Sequence, residues 1–253
     1  MVTAVPLPHT RWALFLDVDG TLLELAPTPD AVRVPARVKS LLAGLVEAAE
    51  GAVALVSGRT IAQLDNWFAP LKLASAGLHG LERRDADGKV HRPPHDARAL
   101  QRARTFLAGR VKSQPALLLE DKQMALALHY RRAPELEATA RAAIARAREI
   151  AGEGYCVLEG KMVLELKPDG FSKPLAIAAF LAEPPFAGRT PLFVGDDRTD
   201  EAGLTFVEGL GGIAVHVGDS DTSARWQLAN VSAVHEWLAA LLLAQPGSRS
   251  AAH

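Results

Sequence analysis

The sequence predicts an α/β fold: a doubly wound parallel sheet with a smaller α+β module inserted into it. Three observations carry this expectation. Short, continuously apolar runs end abruptly in acid, serine or glycine, as buried parallel strands do. Those runs alternate with segments of helical period near both ends of the chain. Between them, over residues 81–168, the rhythm changes to hairpins and long polar helices.

Residues 11–16 form the first apolar run, which stops at Asp17. Residues 34–50 show helical spacing, with Val38, Leu41, Leu42 and Leu45 on one stripe and Gly51 closing the helix. A second strand over 52–56 ends at Ser57-Gly58-Arg59, and a helix over 60–68 leads to a short strand over 73–76. Within the insert, 81–90 reads as a hairpin turning at Asp87-Gly88. Pro93-Pro94 breaks the chain before an Arg-rich helix over 95–112. Residues 117–119 and 124–130 read as a second hairpin turning near Asp121-Lys122, followed by an Ala- and Arg-rich helix over 133–151. Residues 155–158 and 162–166 alternate like strands around Gly160. The parallel rhythm then resumes, with a helix over 174–181, a strand over 191–194 running into Gly195-Asp196-Asp197, a strand over 212–217 and a helix over 234–243. The Ser/Ala-rich tail from Pro246 is expected to be disordered, and no internal repeat is present. The expected organisation is a core of residues 1–80 and 169–253 with a cap over 81–168, and a site between them.

Composition narrows the functional classes. Lys and Arg number 28 against 29 Asp and Glu in 253 residues, which gives no long-range field to attract nucleic acid or an anionic membrane. The lone Cys156 excludes an intrachain disulfide and a thiolate metal cage, and its neighbours Val157 and Leu158 suggest a buried structural thiol. Residues 1–10 lack a basic segment followed by an apolar run, so no signal peptide is expected. The apolar stretch over 237–244 is far below the ~18 residues of a membrane span. A soluble, cytoplasmic monomer with a small-molecule partner is the expectation.

Several features carry no chemistry. His91 and His95 are four apart, but Pro93-Pro94 forbids the helical turn of a ligand pair. Arg141, Arg146 and Arg148 read as a solvated helix face. Gly209-Leu210-Gly211-Gly212 precedes a strand, which is the wrong side for a dinucleotide loop. No Walker-type phosphate loop occurs.

The strongest signal is Asp17-Val18-Asp19-Gly20-Thr21, placed directly after the first strand. Ligands of open α/β sheets bind at the carboxyl ends of strands. Carboxylates at i and i+2 leave a strand on the same side, and Gly20 permits a sharp turn beneath them. This motif resembles the opening motif of the haloacid dehalogenase superfamily of phosphatases. Ser57 after the second strand, Lys173 before a helix, and Gly195-Asp196-Asp197-Arg198-Thr199-Asp200-Glu201 after a late strand follow in that superfamily's order. Together with Ser57-Gly58-Arg59, Gly77-Leu78-His79-Gly80, Glu159-Gly160-Lys161 and the segment from Lys167-Pro168 to Ser172-Lys173, these pieces resemble trehalose-6-phosphate phosphatases.

The resemblance implies an aspartyl-phosphate mechanism. Phosphate monoester hydrolysis is among the slowest uncatalysed reactions, accelerated by enzymes up to ~10²¹-fold, and a covalent intermediate divides it into two easier steps. Asp17 resembles the nucleophile and Asp19 the general acid and base. Metal ligands are expected from Asp17, the backbone carbonyl of Asp19, Asp196 and Asp200, and such hard oxygens suit Mg²⁺. Ser57 would hydrogen-bond a phosphoryl oxygen and Lys173 would balance charge in the transition state. Substrate contacts are expected at Asp17, Val18, Asp19 and Gly20. In the insert, Glu159, Lys161 and Glu165 are expected to project from one face towards sugar hydroxyls, with Lys161 and Arg131 helping to neutralise the phosphate; His79 and Glu82 are weaker candidates. The implied substrate is trehalose 6-phosphate. Another sugar-phosphate phosphatase, such as one acting on sucrose phosphate, a hexose phosphomutase, or a non-catalytic sugar-phosphate sensor are the alternatives, the last disfavoured because both aspartates are intact.

Overall fold

The structure, a computed structural model, describes residues 5–8, 11–26, 32–94 and 96–244. The expectations placed on His95, on the tail from Pro246 and on parts of residues 1–10 lie outside the described residues. In chain order the first elements are β1 (Trp12–Leu16), α1 (Ala36–Ala48), β2 (Val53–Val56), α2 (Ile61–Phe68), β3 (Ala74–Gly77), β4 (Glu82–Arg84) and β5 (Val90–His91). There follow α3 (Ala97–Ser113), β6 (Leu118–Asp121), β7 (Leu126–His129), α4 (Glu137–Ala151), β8 (Tyr155–Gly160) and β9 (Val163–Pro168). The last are α5 (Lys173–Leu181), β10 (Thr190–Gly195), α6 (Glu201–Gly209), β11 (Ile213–Val217), β12 (Trp226–Leu228) and α7 (Val231–Leu243).

Packing divides the chain into two compact units, Met1–His91 with Ser172–His253, and Arg92–Phe171. The first is built on an eight-stranded sheet in the order β12-β11-β10-β1-β2-β3-β4-β5. Strands β12 through β3 pair in parallel, whereas β4 and β5 pair antiparallel at one edge. β1 lies at the centre, with Phe15 opposite Phe193 on one side and Ala54 on the other. Its five residues are all buried, which explains the unbroken apolar run: a strand covered on both faces has no polar side. Phe15, Phe180 and Phe186 form an aromatic cluster beneath it, with ring centroids 5.1–6.0 Å apart.

The hairpin over 81–90, assigned from sequence to the insert, instead extends the large sheet, because Gly77 of β3 pairs with Glu82 and Arg84 of β4 with Val90. Two elements had not been foreseen. α6 contains Gly203, Thr205 and Gly209, poor helix formers, yet Gly203 is packed so closely on Phe193 that a Cβ there would approach a ring carbon to 2.7 Å. β12 has only three residues and is defined by its pairing with β11.

The second unit is an antiparallel sheet in the order β6-β7-β9-β8, with Leu126, Leu128, Leu164 and Leu166 in one apolar cluster with Leu100, Leu107 and Ile144 of α3 and α4. A short 3₁₀ turn, Pro134–Leu136, precedes α4. Cys156 is half-buried rather than buried, because β8 is an edge strand and Cys156 stands opposite Lys167. Among the described residues, no helix is long and apolar enough to cross a membrane.

Candidate active site

The strand order β3-β2-β1-β10-β11-β12 reverses direction between β1 and β10. Loops leaving the carboxyl ends of strands on either side of such a reversal part from each other and leave a crevice, the place where open α/β sheets bind ligands. Asp17 follows β1, Asp196 follows β10, and the Asp17 backbone N–H donates to Val194 O across the two strands at 3.0 Å.

Three carboxylates converge there. One oxygen from each of Asp17, Asp196 and Asp200 lies within 4.8 Å of the others. Asp17 and Asp200 are buried, and Asp196 is half-buried. Two glycines make room for them. Gly20, at φ +85°, makes the turn within the motif, and a Cβ there would fall 2.0 Å from Asp196 Oδ2. A Cβ on Gly195 would fall 2.4 Å from Asp200 Cγ. Thr21 Oγ1 lies 3.4 Å from Asp196 Oδ1, a long hydrogen bond.

Lys173, at the start of α5, joins this group. Its Nζ donates to Asp17 Oδ1 at 2.7 Å and to Asp200 Oδ1 at 2.6 Å, and it is 3% exposed. Asp200 Oδ2 accepts from the Asp197 backbone N–H at 3.1 Å. Burial pushes the Asp17 carboxyl well above the usual carboxylate range; Lys173 opposes this, while the neighbouring Asp200 and Asp196 add to it. Asp200 is raised by burial for the same reason, against the pull of Lys173. Burial works against the Lys173 charge, but Asp17 and Asp200 outweigh it, so its ammonium is held more firmly than usual. A single lysine neutralises at most one of the three carboxylates. A cluster of hard oxygens, seated where a Cβ on Gly20 would collide with one of them, fits a divalent cation.

Asp19 takes no part in this cluster through its carboxylate. It pairs instead with Arg59, whose Nε and Nη2 each donate to one carboxylate oxygen at 2.7 Å. Sequence reasoning quoted Arg59 within its motif but gave it no role. Ser57 is 1% exposed after β2; its N–H donates to Ala76 O, its carbonyl accepts from the His79 N–H, and its Oγ accepts from the Arg59 N–H at 3.2 Å. His79 has a left-handed backbone, and a Cβ on Gly58 would meet its ring at 2.6 Å. Glu82 accepts from the Ile61 N–H at 2.5 Å, so its carboxylate anchors the first turn of α2, which also carries a Thr60–Gln63 capping box. Val18 is buried, while Gly20 is half-buried beside Asp196.

In the second unit the expected common face for Glu159, Lys161 and Glu165 is corrected. Glu165 stands opposite Leu158, whereas Glu159 stands opposite Leu164. Residues directly opposite share a face, so the two glutamates project from opposite sides of the sheet. Glu159 lies on the side of the helices and pairs with Arg141 of α4 at 2.7 Å. Glu165 is buried and pairs with Lys122 at 2.5 Å. Lys161 lies in the turn, exposed, and its carbonyl accepts from Arg131 Nη2 at 3.2 Å.

Sequence and fold comparisons place the chain among known proteins. The trehalose-phosphatase family profile matches residues 15–232. The chain is 44% identical over 241 residues to the trehalose-6-phosphate phosphatase of Escherichia coli, an alignment covering 94% of this chain and 89% of that protein. A solved trehalose-6-phosphate phosphatase related protein superposes with a TM-score of 0.77 at 26% identity, covering 91% of this chain and 97% of that one. A Bacteroides thetaiotaomicron phosphatase of the haloalkanoate (HAD) superfamily shares the fold, with a TM-score of 0.63 at 17% identity over 92% of this chain and 96% of its own. The chain is therefore a phosphatase with an HAD-type parallel core and an inserted α+β cap, and it belongs to the trehalose-phosphatase family.

Proposed function

We propose that the enzyme hydrolyses trehalose 6-phosphate to trehalose and phosphate through a phosphorylated Asp17, with Mg²⁺ as its cofactor. The observation that carries this reading is the buried Asp17–Lys173–Asp200 cluster beside Asp196 at the strand-order reversal. The substrate is supported by the names of its relatives, the Escherichia coli enzyme first among them. Asp17 and Asp196, with the Asp19 carbonyl and with Asp200 close by, would hold the metal. Bound Mg²⁺ supplies positive charge that favours the ionised nucleophile and the phosphoryl group.

The chain's own residues account for the bond changes. An Asp17 oxygen attacks phosphorus, the bond from phosphorus to the sugar oxygen breaks, and Asp19 gives that oxygen its proton. Asp19 then takes a proton from water, whose oxygen attacks phosphorus and frees Asp17. Lys173 holds Asp17 in place and offsets charge as the phosphoryl group transfers, and Ser57 donates to a phosphoryl oxygen. Arg131, Lys161 and Glu165 are the proposed sugar-recognition residues of the second unit, and Glu159, on the other face of the sheet, is left out of that set.

The test is phosphate release from a panel of sugar phosphates, with Mg²⁺ and after chelation. Trehalose 6-phosphate should be turned over fastest and only with metal. Faster turnover of sucrose phosphate or a hexose phosphate would replace the substrate, and full activity after chelation would remove the metal from the reading.

A further inference from the structure

The first motif places two carboxylates two residues apart, and each has a different cation. Lys173 takes Asp17, whereas Arg59 takes Asp19. The second pairing is the more constrained. Nε binds Oδ2 and Nη2 binds Oδ1, both at 2.7 Å, so both rotatable bonds of the Asp19 side chain are fixed. A single contact would leave the carboxylate free to turn. Each oxygen keeps a second lone pair, so the clamp leaves it able to accept a proton.

Arg59 is itself held. Its guanidinium carbon lies 4.7 Å from the centroid of the Trp67 ring, which gives the fork a flat platform. Its N–H donates to Ser57 Oγ and its carbonyl accepts from the Leu78 N–H at 3.0 Å. The carbonyl is packed so closely that a Cβ on Gly77 would approach it to 2.8 Å. On the other side, the Asp19 turn is closed by the Gly20 N–H donating to Leu23 O at 2.7 Å. The pair is neither a loose surface contact nor fully buried, with side-chain exposures of 13% and 23%.

We infer that Arg59 is a positioning residue for proton transfer: seated on Trp67, it holds the Asp19 carboxyl in the orientation from which it exchanges protons with the leaving sugar oxygen and with water. This rests on the acid–base role proposed for Asp19. A contact that serves only the fold would, when removed, weaken all activities alike. A contact with the substrate phosphate would raise KM for every phosphate ester. An orienting contact slows the first step, release of the leaving group, according to how much the leaving oxygen needs a proton.

The experiment compares single-turnover release of the leaving group from trehalose 6-phosphate and from p-nitrophenyl phosphate, whose leaving group departs without protonation, at saturating Mg²⁺. This isolates the first step, because water attacks the same phosphorylated Asp17 in both cases. Arg59→Ala should lower that rate for trehalose 6-phosphate by roughly 10–100-fold, part of the ~10²–10⁴ a positioned acid supplies. The half-saturating concentration should stay within about threefold, and the rate with p-nitrophenyl phosphate should fall far less. Added guanidinium should restore part of the loss on the sugar substrate, and Trp67→Leu should reproduce a smaller loss with the same selectivity, which serves if Arg59→Ala folds poorly. In an Asp19→Asn background, Arg59→Ala should add nothing further. Equal losses on both esters, or losses that multiply with Asp19→Asn, would overturn the inference while leaving Asp19 as the acid. If Asp19→Asn alone slowed single-turnover release of both leaving groups equally, the acid role of Asp19 itself would fail.

Discussion

Replacing Gly195 with alanine tests how tightly the site is built. The added methyl would sit 2.4 Å from Asp200 Cγ and 2.6 Å from its Cβ, closer than packed carbons approach. Gly195 is not among the glycines with positive φ, so the change adds no left-handed strain and acts through this contact. Asp200 has little freedom to yield. It is 0% exposed, Lys173 holds one oxygen, the Asp197 N–H holds the other, and the residue opens α6. Overpacking of this kind costs about 1–3 kcal/mol, which for a chain of this size lowers Tm by roughly 2–12 °C. Because displacing Asp200 also loosens Lys173 from Asp17, the Mg²⁺ concentration for half-maximal phosphate release should rise. Gly88→Ala is the control: Gly88 has φ +87° but nothing within 4 Å of the added Cβ, so it should lose about 1–2 kcal/mol of backbone stability and keep the wild-type Mg²⁺ titration. Thermal denaturation and Mg²⁺ titrations of the three proteins decide the matter. Wild-type Tm and titration in Gly195→Ala would refute the argument, and so would an equal titration shift in Gly88→Ala.

Asp17→Asn should abolish turnover and any acid-stable phosphoenzyme, and label accumulating on that variant would place the nucleophile elsewhere. Asp17 and Asp200 bind protons more strongly folded than unfolded, so above the ordinary value of 3.8 the metal-free folded protein carries the extra protons and loses stability as pH rises. Asp17→Asn should lessen that fall in chelator, and an unchanged slope above about pH 4 would count against it. Alanine at Lys161 or Glu165 should lower kcat/KM for trehalose 6-phosphate by an amount equivalent to roughly 1–3 kcal/mol while sparing a small phosphate ester, and equal losses on both would remove these residues from sugar recognition.

What the sequence made legible was local. The apolar run of β1 and the motif after it needed only strand period and the rule that ligands gather at strand ends, so Asp17 and Asp19 could be found without tertiary knowledge. Lys173 stands 156 residues from Asp17, and only the order of motifs in a resembling family connected them. The shared face expected of Glu159 and Glu165 failed on parity. Gly160 pairs with Val163, so the turn consists of Lys161 and Met162; counting from that two-residue turn puts Glu159 opposite Leu164 and Glu165 opposite Leu158. α6 escaped notice because its glycines lower its intrinsic helicity, and contact with Phe193, which no local pattern reports, sets the requirement at Gly203. Arg59 could be seen as a letter in a motif, but its partner lies 40 residues away on another strand's loop.

The charge arrangement explains why such a costly site persists in an otherwise apolar layer. Asp17, Asp200 and Lys173 are each no more than 5% exposed, and well-packed apolar residues in their place would often be as stable or more so. The surrounding core of β1, β2, β10 and β11 is continuous and buried, which lets the fold tolerate that cost. Burial raises Asp17 and Lys173 only partly offsets it, so burial works against the charged form of this carboxyl. Positive charge brought beside Asp17 and Asp196 would favour the ionised form that the proposed mechanism uses as nucleophile. Asp19 stands apart from the three clustered carboxylates and has its own cation in Arg59. Two aspartates in one five-residue motif can therefore take separate roles, one answering to the charge at the metal position and the other to an arginine held on a tryptophan ring.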